Sequence, residues 1–555
     1  MYMIASGGFA KFPMHFINGV FRNNMDNDVH WSGAYWWWNM RNVYSGLAAA
    51  NHVDALDPLL DMYHGDLAAL VSGTKSRFGL DGVWVPETMG WDGNARHTNG
   101  SDYTKNVMTT AAEVALAMYD RFRYSGDSAY LRSKAYPVMK AAATFLVARL
   151  SYNSSRGEYG VASSHSHETY WNVPNAITDL AAMRSLFPKL VRASEALGLD
   201  EDLRTKWRDV LAKLHPYQTE TVNGQARWIP HDAPVSSTHN VENIACELAW
   251  PYSVTGIGSP DLAVAVQSYK TRPFAYAEIW SPDAIQAARL GLGDQAFNDM
   301  KTMQTKYQDR FNGIPTNGNG TFDFVGLVLP SINESMLQSW NDTIRVFPAM
   351  PAASGLVGRF TLLASGGFLV SSEKEAGDVK YVGIRSLHGG RAVVFNPWGN
   401  ETMQVRALPS GDVVGTGSGS SITFATSPNA SYVLERPSSP FSGFAFTTLT
   451  AGGNWSAKRL TYGGKTSALG DGTGIALSSD PPGKAYARPG EVSVRWSDGI
   501  LHVRGIDRGL VSIRDLGGRK MGMFRVEEGT TRMALPRGIY QVALPEGMRT
   551  SFVVP

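Results

Sequence analysis

Two acidic residues, far apart in the chain, lie in surroundings that suit two different steps of acid–base chemistry. Glu168 follows His167 and is close to aromatic residues, which would exclude water and raise the pKa of its carboxyl group. Asp323 lies at the start of a helix-like segment, where the helix dipole would favour the ionised form. Cleavage of a glycosidic bond requires one protonated carboxyl group at the leaving oxygen and one carboxylate that activates water or attacks the anomeric carbon. The pair therefore predicts glycoside hydrolysis, and the alternative is a salt-bridged loop residue and an ordinary helix cap.

A second group of polar and aromatic residues could bind a sugar. The segment 83–92, Val-Trp-Val-Pro-Glu-Thr-Met-Gly-Trp-Asp, has acids that can accept hydrogen bonds from hydroxyl groups and indoles that can stack on the apolar face of a ring. The predicted substrate-binding residues of this segment are Trp84, Glu87, Trp91 and Asp92. A solvated acidic loop would have the same composition, so both interpretations stay open.

The overall composition argues against several other functions. The 555 residues include 51 basic and 49 acidic side chains, a net charge of +2, so we expect no nucleic-acid partner. No run of 18 apolar residues occurs, which argues against a membrane span. The first residues lack the basic start and apolar stretch of a signal peptide. We expect a soluble protein, and its compartment and oligomeric state are not predicted.

The sequence also lacks the usual motifs of cofactor chemistry. It has no cysteine and histidine spacing for zinc, no glycine-rich phosphate loop before a helix and no Gly-x-Ser-x-Gly turn. Cys246 is the only cysteine, so no internal disulfide can form and a buried reduced thiol is expected. We therefore predict neither a metal site nor a cofactor.

Helices are the elements that must position these residues. From about residue 41 to 340, apolar residues recur at helical spacing with little of the alternation typical of strands. Roughly ten to twelve helices, arranged in pairs, predict an (α/α)6 toroid as the catalytic domain. We place this domain at 1–352. Long loops are expected at 24–39, 82–106, 153–176 and 216–243.

Glycine and aspartate mark where these helices end and begin. The segment 108–122 has one apolar stripe, and Gly126 followed by Asp127 predicts a left-handed helix end and the N-cap of the next helix. The same pattern occurs at Gly198-Leu-Asp200 and at Gly293-Asp294. These pairs indicate repeated helical hairpins.

The pattern changes after residue 352. Alternating and β-branched runs separated by glycine-rich turns predict short antiparallel strands. We expect a β-sandwich domain at 353–437 and a second β-rich domain at 438–555, divided near the Ser- and Pro-rich segment 436–440. The predicted fold class is therefore multidomain α+β.

Several segments, in the same order over about residues 3–435, resemble family 95 of the glycoside hydrolases. Glu168-Thr-Tyr, Ile177-Thr-Asp179 and Asp323 followed by Glu334-Ser-Met-Leu-Gln-Ser-Trp340 carry much of the likeness. The known members are inverting α-L-fucosidases and α-L-galactosidases. The resemblance implies that Glu168 is the general acid and Asp323 the essential aspartate, acting as general base. The family's large N-terminal β-domain is not expected in this chain.

The likeness is imperfect where the family binds water and sugar. The family orients the attacking water with two asparagines one residue apart; here Asn39 matches the first, and Arg41 stands at the second unless a gap makes Asn42 the partner. Without that pair, Asp323 would act on water directly. The His-rich loop of the family corresponds to 238–243, where Glu242 is new. The remaining predicted sugar-binding residues are Trp37, Arg41, His167, Trp171, His239, Asn240 and Glu242.

We therefore predict an inverting, exo-acting glycosidase that removes a terminal sugar from an oligosaccharide or polysaccharide. Glycoside phosphorylases and polysaccharide lyases also occur on helical toroids, so they are the enzymatic alternatives. A carbohydrate-binding protein without activity is the third alternative, because the asparagine pair is altered. The sugar, its linkage and its anomer are not predicted.

Overall fold

The computed structural model describes residues 13, 34–96, 103–234, 237–278, 280–307, 326–352 and 358–442, positions 444 and 446, and the strands between 458 and 554. The chain forms two compact units, Met1–Gly452 and Gly453–Pro555. The three-domain division stays a prediction.

The first part of the first unit is helical, as predicted. Its main helices, α1 to α11, are Trp37–Tyr44, Asp57–Gly65, Leu67–Phe78, Thr110–Ser125, Tyr136–Ala148, Ile177–Leu197, Glu201–Lys213, Leu262–Lys270, Asp283–Arg289, Gly293–Tyr307 and Val328–Met336. The apolar faces of α1 to α10 pack into one core, to which α4 contributes Val114 and Met118 and α6 contributes Leu186. Burial of this apolar surface holds the helices together and fixes the positions of polar residues on their inner ends.

Helix α4 ends as the sequence predicts. Gly126 has φ 69°, in the left-handed region, and its N–H donates to the Phe122 carbonyl oxygen at 2.8 Å. The Asp127 carboxylate then accepts from the Tyr130 N–H at 2.9 Å, as an N-cap does. Gly198 ends α6 with φ 66° in the same way. These predictions are confirmed.

The helix start at Asp200 is confirmed but its predicted side-chain cap is wrong, and the predicted helix end at Gly293 is also wrong. Asp200 precedes α7 but does not cap it, because its carboxylate accepts from the Tyr136 hydroxyl at 2.8 Å and from Lys140 Nζ at 2.7 Å. Gly293 begins α10 instead of ending a helix. The left-handed residue after α9 is Gly291, with φ 77°.

Short strands occur between the helices, where the sequence predicted only loops. The antiparallel pairs are β1 Tyr35–Trp36 with β2 Thr88–Met89, β3 Leu150–Asn153 with β4 Glu158–Val161, β5 Ser164–Ser166 with β6 Tyr170–Val173, and β7 Thr219–Val222 with β8 Gln225–Trp228. Strands this short carry too few residues to show alternation in the sequence.

Sheets follow the helices, as predicted. The strands are β9 Leu337–Gln338, β10 Arg345–Val346, β11 Gly358–Ala364, β12 Phe368–Glu375, β13 Asp378–Ser386, β14 Gly390–Phe395, β15 Met403–Leu408, β16 Val413–Gly417, β17 Ser421–Thr426 and β18 Ser431–Glu435. One antiparallel sheet has the order β11-β12-β13-β18-β15-β16, and β14 pairs with β17. Phe360 of the larger sheet and Val394 and Phe424 of the smaller one belong to one apolar core.

The second unit is also built of strands. They are β19 Lys458–Tyr462, β20 Lys465–Leu469, β21 Ser493–Ser497, β22 Ile500–Arg504, β23 Arg508–Asp515, β24 Lys520–Glu527, β25 Thr530–Arg532, β26 Gly538–Ala543 and β27 Arg549–Val554. The last seven form one sheet in the order β21-β22-β25-β24-β23-β26-β27. Among the residues described, no helix has the length and apolar character needed to cross a bilayer.

Candidate active site

Glu168 lies in the turn of the β5–β6 hairpin. Ser166 pairs with Tyr170, so residues 167–169 span the turn. His167 has φ 48°, a left-handed conformation that costs a non-glycine residue on the order of 1 kcal/mol. His167 and Thr169 are buried, whereas the side chain of Glu168 is partly exposed. The turn therefore presents one carboxyl group to solvent from an otherwise buried segment.

The Glu168 carboxyl group contacts an amide. Asn240 Nδ2 donates to Glu168 Oε2 at 2.9 Å, and Trp171 Nε1 donates to the Glu168 carbonyl oxygen at 2.8 Å. Burial raises the pKa of Glu168 to about 7, although the Asn240 hydrogen bond and the charge of His167 act in the opposite direction. A carboxyl group with this pKa is about half protonated at pH 7, so a proton donor is available near neutral pH, as a general acid requires.

A second carboxyl group, that of Glu242, holds the turn from inside. Its Oε2 accepts from the Glu168 N–H at 3.0 Å and from the Thr169 hydroxyl at 2.8 Å. The Glu242 N–H donates back to Thr169 Oγ1 at 3.0 Å. Burial, together with the nearby charges of Glu168 and Glu247, raises the pKa of Glu242 to about 8, against the effect of His167. The two acids are therefore joined through the backbone of the turn.

A buried ion network lies behind the hairpin. Arg41 Nη1 donates to Glu113 Oε2 at 2.5 Å, and Arg41 Nη2 donates to Glu247 Oε1 at 3.1 Å. Glu247 Oε2 lies 2.5 Å from His167 Nε2. The network connects α1, the first turn of α4 and the 3-10 helix Ile244–Leu248 to the residue that precedes the acid. All four side chains are at most 5% exposed.

The charges of this network support one another. Burial alone would lower the pKa of His167, but the carboxylates of Glu247 and Glu113 outweigh it and raise the pKa to about 10. Burial would raise the pKa of Glu113, yet Arg41 and His167 hold it below its ordinary value. Trp37 Nε1 and the Tyr252 hydroxyl also donate to Glu113, at 3.0 and 2.7 Å. His167 is thus a cation with a fixed orientation.

Glu87, which directly precedes β2, lies beside the ion network and bonds to α1 and α4. Its Oε1 accepts from the Trp38 N–H at 2.7 Å and its Oε2 accepts from the Thr110 hydroxyl at 2.9 Å. Burial raises the pKa of Glu87 to about 7, with Glu113 adding to the rise and the Trp38 hydrogen bond opposing it. The side chain is 4% exposed, so it is a buried acid that ties α1 to α4.

The asparagines of α1 lie three positions apart and share one face of the helix. Asn39 is 9% exposed and Asn42 is fully buried. Neither amide atom of Asn42 has a hydrogen-bond partner in the described part of the chain. Arg41, between them in sequence, is committed to the ion network, so its guanidinium group does not replace an asparagine amide.

The ring of Trp171 is covered by histidines. The His239 ring stacks on it at 3.6 Å between centroids and 7° between planes, and the His165 ring lies parallel at 5.6 Å. The edge of Tyr103 meets the same indole at 4.9 Å. These contacts place Trp171 and His239 beside Glu168, but they occupy the indole surface that a sugar would need.

Three predicted sugar-binding residues are buried, exposed or bound within their own loop. Trp84 is 4% exposed, packs with Met108 and Phe145, and donates from Nε1 to the Val107 carbonyl oxygen at 2.8 Å. Trp91 is 59% exposed. The Asp92 carboxylate binds Asn94 and Arg96, both at 2.9 Å, within its own loop. The contacts of Trp84 and Asp92 thus serve packing and the local loop.

Asp323 lies outside the described residues. The first described residue after it is Gly326, whose Cα packs against α1: a Cβ added there would lie 2.8 Å from Val43 Cγ2. Gly326, three residues beyond Asp323 in sequence, therefore contacts the helix that carries the two asparagines.

Sequence reasoning missed Glu113, Glu247 and Tyr252. A signal was present for the two acids, because each interrupts an apolar run, Thr-Ala-Ala-Glu-Val-Ala around Glu113 and Ile-Ala-Cys-Glu-Leu-Ala around Glu247. An acid on a buried helix face needs a partner. Both find it in Arg41.

The sequence of this chain is similar to a known family profile and to known proteins. The sequence profile of the glycosyl hydrolase family 95 catalytic domain matches residues 2–321. The alpha-L-fucosidase 2 of Arabidopsis thaliana is 24% identical over 297 residues, which are 48% of this chain and 34% of that protein. A periplasmic/secreted acid trehalase of Candida glabrata is 26% identical over 141 residues, covering 25% of this chain and 12% of that protein.

Among solved structures, a putative kojibiose phosphorylase from the human microbiome aligns with a TM-score of 0.49 and 13% identity, over 75% of this chain and 63% of that one. The chain spans about a third of the length of the plant fucosidase. The family profile, by contrast, covers more than half of the 555 residues and includes Glu168, Asn240 and the ion network. The chain therefore belongs to glycosyl hydrolase family 95.

Proposed function

We propose that this chain is an exo-acting, inverting glycoside hydrolase with Glu168 as general acid and Asp323 as general base. The observation that carries the proposal is the state of Glu168, a partly exposed carboxyl group with pKa raised to about 7 and an amide partner, Asn240, at 2.9 Å. The proton passes from Glu168 to the glycosidic oxygen as that bond breaks. Asp323 takes a proton from the water that attacks the anomeric carbon, and the released sugar has the opposite anomeric configuration.

The proposed base is supported by chain geometry. Asp323 is three residues before Gly326, a separation of at most about 11 Å in an extended chain. Gly326 contacts Val43 on α1. The buried amide of Asn42, which has no partner among the described residues, lies on the same face of α1 as Asn39. We propose that these asparagines orient the attacking water for Asp323.

The ion network and Glu242 have positioning roles in this proposal. Arg41 does not bind sugar but keeps Glu247 and Glu113 in place around His167. His167 precedes the acid and holds the strained turn. Glu242 accepts hydrogen bonds from both Glu168 and Thr169 and so fixes the backbone on the other side. Asn240 and His239, which are exposed or partly exposed beside Glu168, are the candidate sugar contacts, whereas Glu87 is a buried structural acid.

The same proposal includes the finer architecture. The paired helices α4 with α5 and α6 with α7, which share one core, support a complete (α/α)6 toroid. The common core of the two sheets between Gly358 and Glu435 supports a β-sandwich. The substrate is proposed to be a terminal sugar of an oligosaccharide or polysaccharide. An α-L-fucoside is the first to test, because one relative is named an alpha-L-fucosidase.

The test is hydrolysis of aryl glycosides, including α-L-fucosides and α-L-galactosides, with the first-formed anomer read by NMR. We expect the inverted anomer from the wild type and loss of turnover in both Glu168→Gln and Asp323→Asn. Glu220→Gln, which removes an exposed carboxylate on β7, is the matched control. Full activity in either variant overturns the roles. A retained anomer overturns inversion, and a phosphorylated or unsaturated product identifies a phosphorylase or a lyase instead.

A further inference from the structure

A cavity of about 690 Å³ lies at the opposite ends of α4 and α6 from the acid hairpin. On α4, Asp120 lines the cavity and is seven residues beyond Glu113, about 10 Å along the helix axis. On α6, the lining residues begin at Arg184, which is five residues beyond Asp179, about 8 Å along the axis, and extend to Arg192. Asp179 accepts from Ser164 of the acid hairpin. The cavity is therefore separate from the proposed active site.

Most of the charged side chains in the cavity wall form ion pairs with one another. Asp342 bridges Arg123 and Arg192, with both contacts at 2.6 Å. Glu334 receives two hydrogen bonds from Arg289, at 2.5 and 2.7 Å. These fixed pairs form a rigid polar wall and leave little capacity for a strongly charged ligand.

Asp120 and Lys189 are different, because no ion pair joins either of them to another described side chain within 4.0 Å. Among the described residues, Lys189 Nζ donates to the Ser185 hydroxyl and carbonyl oxygen alone, at 2.9 and 3.1 Å. Asp120 is exposed, yet burial raises its pKa. Both are true of a carboxyl group that faces a cavity, where single water molecules reach it but bulk solvent does not. Asp120 thus offers a hydrogen-bond acceptor to the cavity and Lys189 offers a donor, and the two do not form an ion pair with each other.

The rest of the lining suits a neutral polyhydroxylated molecule. Tyr119, Tyr124, Tyr217 and Trp340 supply aromatic rings. The basic side chains Arg123, Arg184, Lys189, Arg192 and Arg289 are nearly balanced by Asp120, Asp261, Glu334 and Asp342. An anion would meet the carboxylates and a cation the basic groups, whereas hydroxyl groups can donate to the first and accept from the second. Rings with a few convergent polar groups are typical of sugar-sized pockets.

We propose that this cavity is a second saccharide-binding site, for one or two neutral sugar units whose hydroxyl groups donate to Asp120 and accept from Lys189. Its volume lies within the roughly 300 to 1,000 Å³ of small-molecule sites. The site does not use Glu168 and does not depend on the proposed catalytic roles. It would hold a glycan on the face of the helical domain remote from the chemistry.

The test uses the full chain carrying Glu168→Gln, so that hydrolysis does not consume the probe. Crystals are soaked in cellobiose, lactose or sucrose at about 50 mM, a concentration that reveals affinities in the millimolar range. We expect at least one disaccharide in the cavity, within hydrogen-bond distance of Asp120 and Lys189. Titration in solution should show affinity reduced about tenfold or more by Asp120→Ala and by Lys189→Met. Asp202→Asn, at an exposed position on α7, should leave it unchanged.

Three results would overturn the proposal. The first is a cavity without any of the three sugars in the soaked crystals. The second is affinity unaffected by both cavity variants. The third is occupation by inorganic phosphate or glycine but by no sugar, which would assign the cavity to an anion or a zwitterion. Should Asp120→Ala not fold, Lys189→Met and the soaked crystals decide the question alone.

Discussion

The two ends of α4 hold charged side chains in opposite ways. At its first turn Glu113 is enclosed by Arg41, Trp37 and Tyr252, so every charge has a short partner. Near its last turn Asp120 faces a cavity with no ion pair among the described residues. The first arrangement fixes geometry, which a proton donor next to it requires. The second leaves a carboxylate that can accept hydrogen bonds from a ligand. Charge thus serves positioning at one end of the helix and, in our proposal, recognition at the other.

The largest expected effect is on catalysis by Glu168, beside the ion network at the first turn of α4. Glu168→Gln removes the proton donor and keeps the shape, so we expect turnover to fall by about 10² to 10⁴-fold. The thermal midpoint should not fall, because the neutral amide suits a site that raises the pKa of the acid. Initial rates and a thermal melt measure both, with Glu220→Gln as control. A variant that loses activity only because it unfolds would not support the assignment.

The pH dependence follows from the same group. The pKa of Glu168 is raised to about 7, so the proton donor is lost as pH rises through that value. We expect kcat/KM to fall on the alkaline side near pH 7. A rate profile from pH 5 to 9 checks this, and a flat profile through pH 8 would exclude Glu168 as the essential acid.

Disruption of the buried ion network should give the largest loss in the free energy of unfolding. Arg41→Met leaves Glu113 and Glu247 as buried charges without their cation, which costs about 3 to 5 kcal/mol. Urea unfolding at pH 7 measures the loss. The control is Lys75→Met, which removes an exposed ion pair with Asp81 and should change stability by less than about 1 kcal/mol. Equal losses in the two variants would show that the network is not structural.

A smaller effect is expected at Glu242. Glu242→Ala removes the acceptor of the Glu168 and Thr169 hydrogen bonds, so the turn loses its orientation and kcat should fall about ten- to a hundredfold with little change in KM. Glu242→Gln keeps an acceptor oxygen and should restore much of the rate. Failure of glutamine to do better than alanine would point to a direct chemical role for the carboxyl group.

The smallest effect is expected at the open end of α4. Burial raises the pKa of Asp120 in the folded state, so its ionisation destabilises the fold at neutral pH and has no effect once it is protonated in both states. Asp120→Asn should therefore be slightly more stable than the wild type at pH 7, by less than about 1 kcal/mol because water in the cavity screens the charge. The difference should vanish at pH 3. Urea midpoints at both pH values test it.

Local sequence patterns predicted the local features well. The apolar stripe of α4, its left-handed end at Gly126 and the cap at Asp127 depend on neighbours within a few positions, so the sequence displays them. The helical region and the later sheets follow from the same kind of periodicity. Asp200 was mispredicted because a lysine and a tyrosine from another helix compete for its carboxylate.

Contacts between residues that are far apart in the sequence could not be predicted from local sequence patterns. Arg41 looked like a substitute for an asparagine, but its partner Glu247 is 206 positions away. Trp84 and Trp37 have the same side chain, and only packing shows that one fills an apolar cluster while the other donates to Glu113. Composition identifies groups that can do chemistry, whereas the fold decides which of them meet.

The single cysteine of the chain has a practical consequence. Cys246 is buried, and burial raises the pKa of its thiol, so it reacts slowly with maleimides or iodoacetamides. A cysteine introduced on the surface would therefore take up a spin label or a fluorophore selectively, without removal of the native one. Paired labels at the mouth of the cavity and near the acid hairpin would report how the distance between the two ends of α4 and α6 responds to sugar.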